Sequence, residues 1–157
     1  MKEALQSFSD DGGKTWQPQS TAFPHVNSKC VFRRLQSGNI LLIRHGQDIT
    51  KATPARQELT AFLTTDEGKT WSGKLLLDER AGVSYPDIAQ APNGDIYVHY
   101  DRNRGSDAEI LFARFREEDV QAGKLVSEDA SLKNLVKSKL GMNRGGAGNK
   151  PSAAERK

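Results

Sequence analysis

Short runs of alternating apolar and polar residues recur through the first 115 residues, and glycine, asparagine, aspartate or proline separates one run from the next. Alternation with a period of two places every second side chain on the same face, which is typical of a half-buried β-strand. The pattern therefore predicts an all-β fold. The predicted strands span about 2–9, 16–23, 29–36, 39–45, 59–65, 71–77, 95–101 and 109–115, and a further strand starts at Ser84.

A motif of the form Ser/Thr-x-Asp-x-Gly-x-Thr-Trp occurs twice, at 9–16 and at 64–71. Each copy follows one predicted strand and precedes another, so each is interpreted as a hairpin turn. The aspartate can accept hydrogen bonds from backbone amides two or three residues on, and the glycine can adopt the positive φ of a tight turn. The structural residues of the motif are Asp11, Gly13 and Trp16 in the first copy and Asp66, Gly68 and Trp71 in the second.

The two motifs belong to a longer repeat. Trp16 and Trp71 are 55 residues apart, and Gly38 and Gly94, each of which precedes an alternating strand, are 56 apart. This period accommodates one four-stranded unit with its loops. The layout predicts two strands of a first unit, a complete second unit and a third unit of three strands. Because such units bury their faces against neighbours, the open faces imply either a larger ring or self-association through exposed edges.

The periodicity changes after Phe115. Residues 116–123 are predicted to form a short helical turn that ends at a glycine, and Ser127 to Leu140 is predicted to form a second helix. Ser127 is the expected cap of that second helix, whose apolar face comprises Leu132, Leu135, Val136 and Leu140. Residues 141–157 contain too few apolar side chains to form a packed core, so a disordered tail is predicted there.

Composition narrows the functional classes. The 157 residues suit one domain, and the chain contains no apolar run long enough to span a membrane and no secretory signal. The net charge of +3 is equal to the excess of basic residues in 143–157, so nucleic-acid binding is not expected of the neutral remainder. Cys30 is the single cysteine, and the three histidines lack metal-ligand spacing. No metal or other cofactor is therefore expected, and the compartment stays open.

The repeated motif resembles the Asp-box of bacterial neuraminidase repeats, which sialidases and other β-propellers contain. Further stretches, among them 32–39, 75–80 and 115–120, resemble a large group of bacterial sialidase-family proteins, and this resemblance covers about residues 5–138. It implies the C-terminal portion of a six-bladed β-propeller, with about two and a half blades in residues 1–126. A short helix over 127–140 would pack on the last blade, and the tail would follow at 141–157.

The resemblance also implies site residues. The segment around Tyr85 is similar to the one that holds the catalytic tyrosine of sialidases, and Arg56 resembles one of the arginines that bind the substrate carboxylate. The repeat superposes Lys29 on Tyr85, so Lys29 is a candidate substrate contact, and Arg102 and Arg104 are weaker candidates on the same rim. The alternatives remain a core role for Tyr85 and simple solvent exposure for these basic side chains.

The implied function is that of an exo-α-sialidase-like glycoside hydrolase segment that acts on sialic acid or another acidic sugar. A tyrosine suits this reaction because an anionic carboxylate nucleophile would be repelled by the sugar carboxylate beside the reacting carbon. The remaining catalytic groups of the family have no matching positions in this sequence, so the chain alone is expected to be inactive. The alternative is a non-catalytic carbohydrate-binding or scaffolding propeller.

Overall fold

The computed structural model describes residues 3–138, which form ten strands and one short helix. The strands are β1 (Glu3–Gln6), β2 (Ser20–Pro24), β3 (Val31–Arg34), β4 (Ile40–His45), β5 (Leu59–Thr64), β6 (Ser72–Asp78), β7 (Val83–Gln90), β8 (Ile96–Arg102), β9 (Glu109–Phe115) and β10 (Ser131–Lys137), and the helix is α1 (Glu117–Ala122). The all-β fold predicted from the alternation is confirmed. Within the described residues, no helix is long and apolar enough to cross a membrane.

The strands form three antiparallel sheets in which each strand pairs with the next along the chain. The N-terminal sheet consists of β1 and β2, the central sheet of β3 to β6, and the C-terminal sheet of β7 to β10. Sequential pairing needs only short connections, which the glycine-containing turns between the strands supply.

The central sheet lies between the other two. All six residues of β5 are buried, which is the burial expected of a strand that is covered on both faces. One face contributes Leu41, Ile43 and Leu63 to a shared core with Val98 and Phe115 of the C-terminal sheet. Across this interface β3 lies against β7 and β6 against β10, so equivalent strands of the two sheets are neighbours.

The other face of the central sheet packs against the N-terminal sheet. Phe23 of β2 contacts Phe32, with ring centroids 6.2 Å apart, and the guanidinium of Arg44 lies 5.2 Å from the Phe23 ring centroid. Arg44 is fully buried and donates to the carbonyls of Pro24, Asp48 and Lys51. This buried cation therefore links the two sheets through backbone carbonyls and an aromatic ring.

Both Asp-box motifs form turns between consecutive strands. Asp66 Oδ1 accepts from the Thr70 amide at 2.8 Å and from the Thr64 hydroxyl at 2.7 Å, and Asp66 Oδ2 accepts from the Thr70 hydroxyl. These bonds lower the pKa of Asp66 to about 2. Gly68 has φ 83°, and a Cβ placed there would touch the Trp71 ring at 3.6 Å. The turn is thus closed by its own side chains.

The first copy has the same construction. Asp11 accepts from the amides of Lys14 and Thr15, both at 2.9 Å, and from the Thr15 hydroxyl at 2.7 Å. Gly13 has φ 87° and lies under Trp16, whose side chain is 64% exposed. The two turns are therefore alike in their hydrogen bonds, although they differ in what surrounds them.

The predicted helix over Ser127 to Leu140 is wrong, and the third unit has a fourth strand. Residues 131–137 form β10, which pairs with the edge of β9. Ser127 does not cap a helix, because its amide and hydroxyl both donate to Asp119 in α1. Leu135 and Val136, expected on a buried helix face, are 57% and 62% exposed. Residues 131–137 instead provide hydrogen-bond partners for the otherwise unpaired backbone groups at the edge of β9.

The structure describes part of the remaining C-terminal predictions. The predicted helical turn at 116–123 is confirmed as α1, which ends at Gly123 in the left-handed conformation. Leu140 and the predicted tail at 141–157 lie outside the described residues.

Candidate functional site

Tyr85 lies at a β-bulge near the beginning of β7. Ser84 pairs with Asp101 and Asp87 pairs with His99, so Tyr85 and Pro86 together oppose the single residue between those two on β8. Tyr85 has φ 53°, a left-handed conformation that a side chain of this size rarely adopts. Its ring is 44% exposed. A β-bulge changes the direction in which a side chain points. Backbone strain of this kind is concentrated at functional sites, where the surrounding structure maintains it.

Two backbone hydrogen bonds join the three segments around Tyr85. The Gly82 amide donates to the Arg56 carbonyl at 2.8 Å, and the Asn103 amide donates to the Gly82 carbonyl at 3.1 Å. Gly82 has φ 81°, and a Cβ there would lie 2.1 Å from the Asn103 side-chain oxygen. Only glycine fits this crossing point. The β4–β5 connection, the start of β7 and the turn after β8 are consequently held together.

Arg56 extends towards Tyr85 from the β4–β5 connection. Its Nε and one terminal nitrogen donate to the Asn27 carbonyl at 3.2 and 2.9 Å, and the other terminal nitrogen donates to the Ser84 hydroxyl at 3.2 Å. Its guanidinium carbon lies 5.5 Å from the Tyr85 ring centroid. Over residues 3–138, Arg56 forms no salt bridge. These hydrogen-bond partners are neutral oxygens that orient the side chain, and the charge of Arg56 acts on the Asp101 carboxylate without a direct ion pair.

Arg104 also contacts Tyr85. Its guanidinium carbon lies 4.1 Å from the Tyr85 ring centroid, and its Nε forms a salt bridge with Asp101 Oδ2 at 3.1 Å. Hydrogen bonding and charge from Arg104, with a smaller contribution from the charge of Arg56, lower the pKa of the Tyr85 phenol. Burial raises the pKa of Asp101. Arg104 is named together with Arg102 as a weaker candidate in the sequence analysis, which does not single out Asp101.

Lys29 is close to this site without touching Tyr85. Its ammonium lies 3.4 Å from Asp87 Oδ2, and both side chains are exposed. Asp87, Arg33 and His99 line an open cavity of about 380 Å³ on the same side of the C-terminal sheet. The sequence repeat superposes Lys29 on Tyr85, but in the structure Lys29 lies beside Asp87 of β7 rather than at the Tyr85 ring.

Arg102 is oriented differently from the other candidates. It lies directly opposite Glu109 in the β8–β9 ladder and bonds that carboxylate at 2.8 Å, with Asp107 3.8 Å away. The two carboxylates compensate its charge. Arg102 is thus an internal ion-pair partner in this structure, whereas Arg56 forms no direct salt bridge within residues 3–138.

His45 lies beneath the site. Its side chain is fully buried, and Nε2 lies 2.9 Å from the Val83 carbonyl, to which it donates in its neutral form. Burial lowers the pKa of His45, which disfavours a second cation below Arg56. Among residues 3–138, no group of three or more histidine, cysteine, aspartate or glutamate side chains is arranged to hold a metal ion.

The sequence profile described as a BNR repeat-like domain matches residues 2–98. The matched segment contains both Asp-box turns, Arg56 and Tyr85, and it ends before Asp101 and Arg104. No curated protein and no solved structure matches the chain.

Proposed function

Because this chain belongs to the BNR repeat-like domain family, we propose that its three sheets are neighbouring blades of a sialidase-like β-propeller. The contact of β3 with β7 and of β6 with β10 supports this arrangement, since successive blades place equivalent strands side by side. The Asp-box turns join β1 to β2 and β5 to β6 and so occupy equivalent outer turns of successive sheets. In this arrangement β3 and β7 are the innermost strands.

We further propose that the site at Tyr85 binds a carboxylate-bearing sugar such as sialic acid. The observation that carries this proposal is the guanidinium of Arg56, which forms no direct salt bridge within residues 3–138 and lies beside the exposed Tyr85 ring. An arginine fork recognises a carboxylate through paired charge-assisted hydrogen bonds, and it stays charged at every relevant pH. The strained bulge supports the proposal as well, because it is the bulge that presents the Tyr85 ring next to this cation.

In a complete sialidase-like reaction, the Tyr85 oxygen would form a bond to the anomeric carbon while the glycosidic C–O bond breaks. The phenol proton would pass to a carboxylate base, and the departing oxygen would take a proton from a general acid. No carboxylate bonds Tyr85 within the described part of the chain. We therefore infer that this chain by itself binds acidic sugars and does not hydrolyse them at a measurable rate.

Titration of the isotope-labelled chain with N-acetylneuraminic acid, followed by amide NMR shifts, tests the binding site. The methyl ester of the same sugar is the matched ligand without a carboxylate. Arg56→Gln should weaken binding of the acid about tenfold, which is the order expected for charge-assisted bonds in a partly exposed site. Lys74→Gln, which removes one exposed charge from β6, should have no effect. Equal binding of acid and ester, or unchanged affinity in Arg56→Gln, would refute the proposed site.

A non-catalytic carbohydrate-binding propeller is the second candidate, and the lack of a carboxylate bonded to Tyr85 in residues 3–138 favours it. Tyr85→Phe separates the two in any preparation that cleaves a sialoside. An enzyme that uses this nucleophile loses turnover and keeps its affinity for the sugar, whereas a binding module changes little. Self-association through open sheet edges remains a separate proposal, which light scattering of the purified chain tests directly.

A further inference from the structure

The turn after β8 brings Arg104 onto the Tyr85 ring. Asn103 has φ 51°, and its carbonyl accepts from the amides of Ser106 and Ala108, which makes this turn compact. The same residue is bonded through its amide to Gly82, three residues before Tyr85. The position of Arg104 relative to Tyr85 is therefore fixed by backbone hydrogen bonds on both sides of the contact.

Asp101 orients the Arg104 side chain. The Asp101 side chain is 20% exposed, and its carboxylate lies 3.1 Å from the Arg104 Nε. This ion pair holds one edge of the guanidinium, while the planar face of the guanidinium lies against the Tyr85 ring. Ser84 is the residue that pairs with Asp101 in the β7–β8 ladder, and its hydroxyl accepts from Arg56. Asp101, Ser84 and Arg56 thus lie on neighbouring segments beside Tyr85.

We propose that Arg104 is a positioning residue of this site. Asp101 holds Arg104 against Tyr85, where the positive charge of Arg104 stabilises the phenol oxygen whenever that oxygen is negatively charged. A guanidinium stacked on an aromatic ring both restrains the ring and provides a nearby cation. Arg104, at 4.1 Å, lies closer to the ring centroid than Arg56, at 5.5 Å, and it is the larger of the two influences on the phenol. The benefit to nucleophilic attack rests on the function proposed above, whereas the contact with the phenol does not.

The proposal is tested by spectroscopic titration of the Tyr85 phenol in the isolated chain, with Tyr85→Phe used to identify its signal. Arg104→Gln removes the charge and the stack, and the acid dissociation constant of the phenol should fall severalfold. Asp101→Asn should give a smaller change in the same direction, because the guanidinium keeps its charge and loses its anchor. Arg104→Lys should restore part of the effect, since an ammonium keeps the charge without the planar stack.

Two controls make the result specific. Lys74→Gln removes the same unit of charge at a distant exposed site and should leave the Tyr85 titration unchanged. Raising the salt concentration should reduce the difference between the parent chain and Arg104→Gln, because the contact is exposed. An unchanged Tyr85 titration in a folded Arg104→Gln variant would overturn the proposal. Failure of the sugar titration would refute the binding site and leave this phenol titration as it stands, so the two failures are distinguishable.

Discussion

Lowering the pH should destabilise the fold through His25, which is buried between the N-terminal and central sheets. His25 is 3% exposed, its ring centroid lies 5.6 Å from that of His45, and its Nε2 accepts from the His45 amide. Burial is the main cause that lowers the pKa of His25 from 6.5 to about 4, and electrostatic repulsion between the His25 and His45 imidazoles when protonated and the positive charge of Arg44 contribute. Protonation of His25 is therefore less favourable in the folded chain than in the unfolded chain.

The sign and the size follow from this difference. Because the folded pKa lies below the unfolded one, the unfolded state binds more protons between pH 6.5 and 4, and stability falls as the pH falls through that window. At 1.36 kcal/mol for each unit of pKa difference, the loss for His25 is about 3 kcal/mol, complete near pH 4 and absent above pH 6.5. A loss of that size is a large part of the stability of a small domain.

Urea denaturation at several pH values between 7.5 and 4 measures the effect. His25→Gln keeps an acceptor for the His45 amide and cannot titrate, so the stability difference between parent and variant should change by about 3 kcal/mol across the window. Lys74→Gln, which changes an exposed side chain on β6 and leaves His25 in place, should reproduce the pH dependence of the parent chain. Acid titration of carboxylates affects all three proteins alike. Parallel curves for the parent and His25→Gln would refute the reasoning.

Three further substitutions test the packing and the turns. Gly73→Ala should destabilise the fold by about 3 kcal/mol, because φ is 63° and the new Cβ would lie 2.6 Å from the Val120 carbonyl oxygen. Gly94→Ala, at a position with φ 90° and open space around it, should cost only the backbone strain of about 1 kcal/mol. Asp119→Ala should lower the unfolding free energy by about 3 kcal/mol in urea denaturation, since it leaves three amides and one hydroxyl without their acceptor; a loss below 1 kcal/mol would contradict this. Asp66→Ala should speed hydrogen exchange of the amides in its turn while the sheets stay protected, and uniform exchange rates would count against a local role.

The strands and the Asp-box turns were predictable from sequence because their determinants are local. Alternation of side chains and the aspartate and glycine of each turn act within a few residues of one another. The fourth strand of the C-terminal sheet was not predictable in this way. Leu132, Leu135 and Val136 have helical spacing, and the deciding interactions are the bonds from Ser127 to Asp119 and the unpaired edge of β9.

The candidate site was predicted in part for a similar reason. Tyr85 and Arg56 were identified by motif, and the structure brings them within 5.5 Å of each other. The choice between Arg102 and Arg104 depends on strand register, because Arg102 falls opposite Glu109 and forms an ion pair with it, whereas Arg104 follows in the turn. That pairing of β8 with β9 is regular, but alternation along one strand does not specify which residue of the next strand lies opposite.

The bulge at Tyr85 implies a conflict between stability and the proposed function at a single position. A left-handed backbone costs a residue with a bulky side chain about 1 to 2 kcal/mol, and glycine or asparagine adopts it with much less strain. A selection for thermal stability alone would therefore favour Tyr85→Gly or Tyr85→Asn, and with either change the ring that lies against Arg56 and Arg104 would be lost. Engineering of this protein for heat resistance should exclude position 85 from its library, since the most stable variants there would lack the proposed nucleophile.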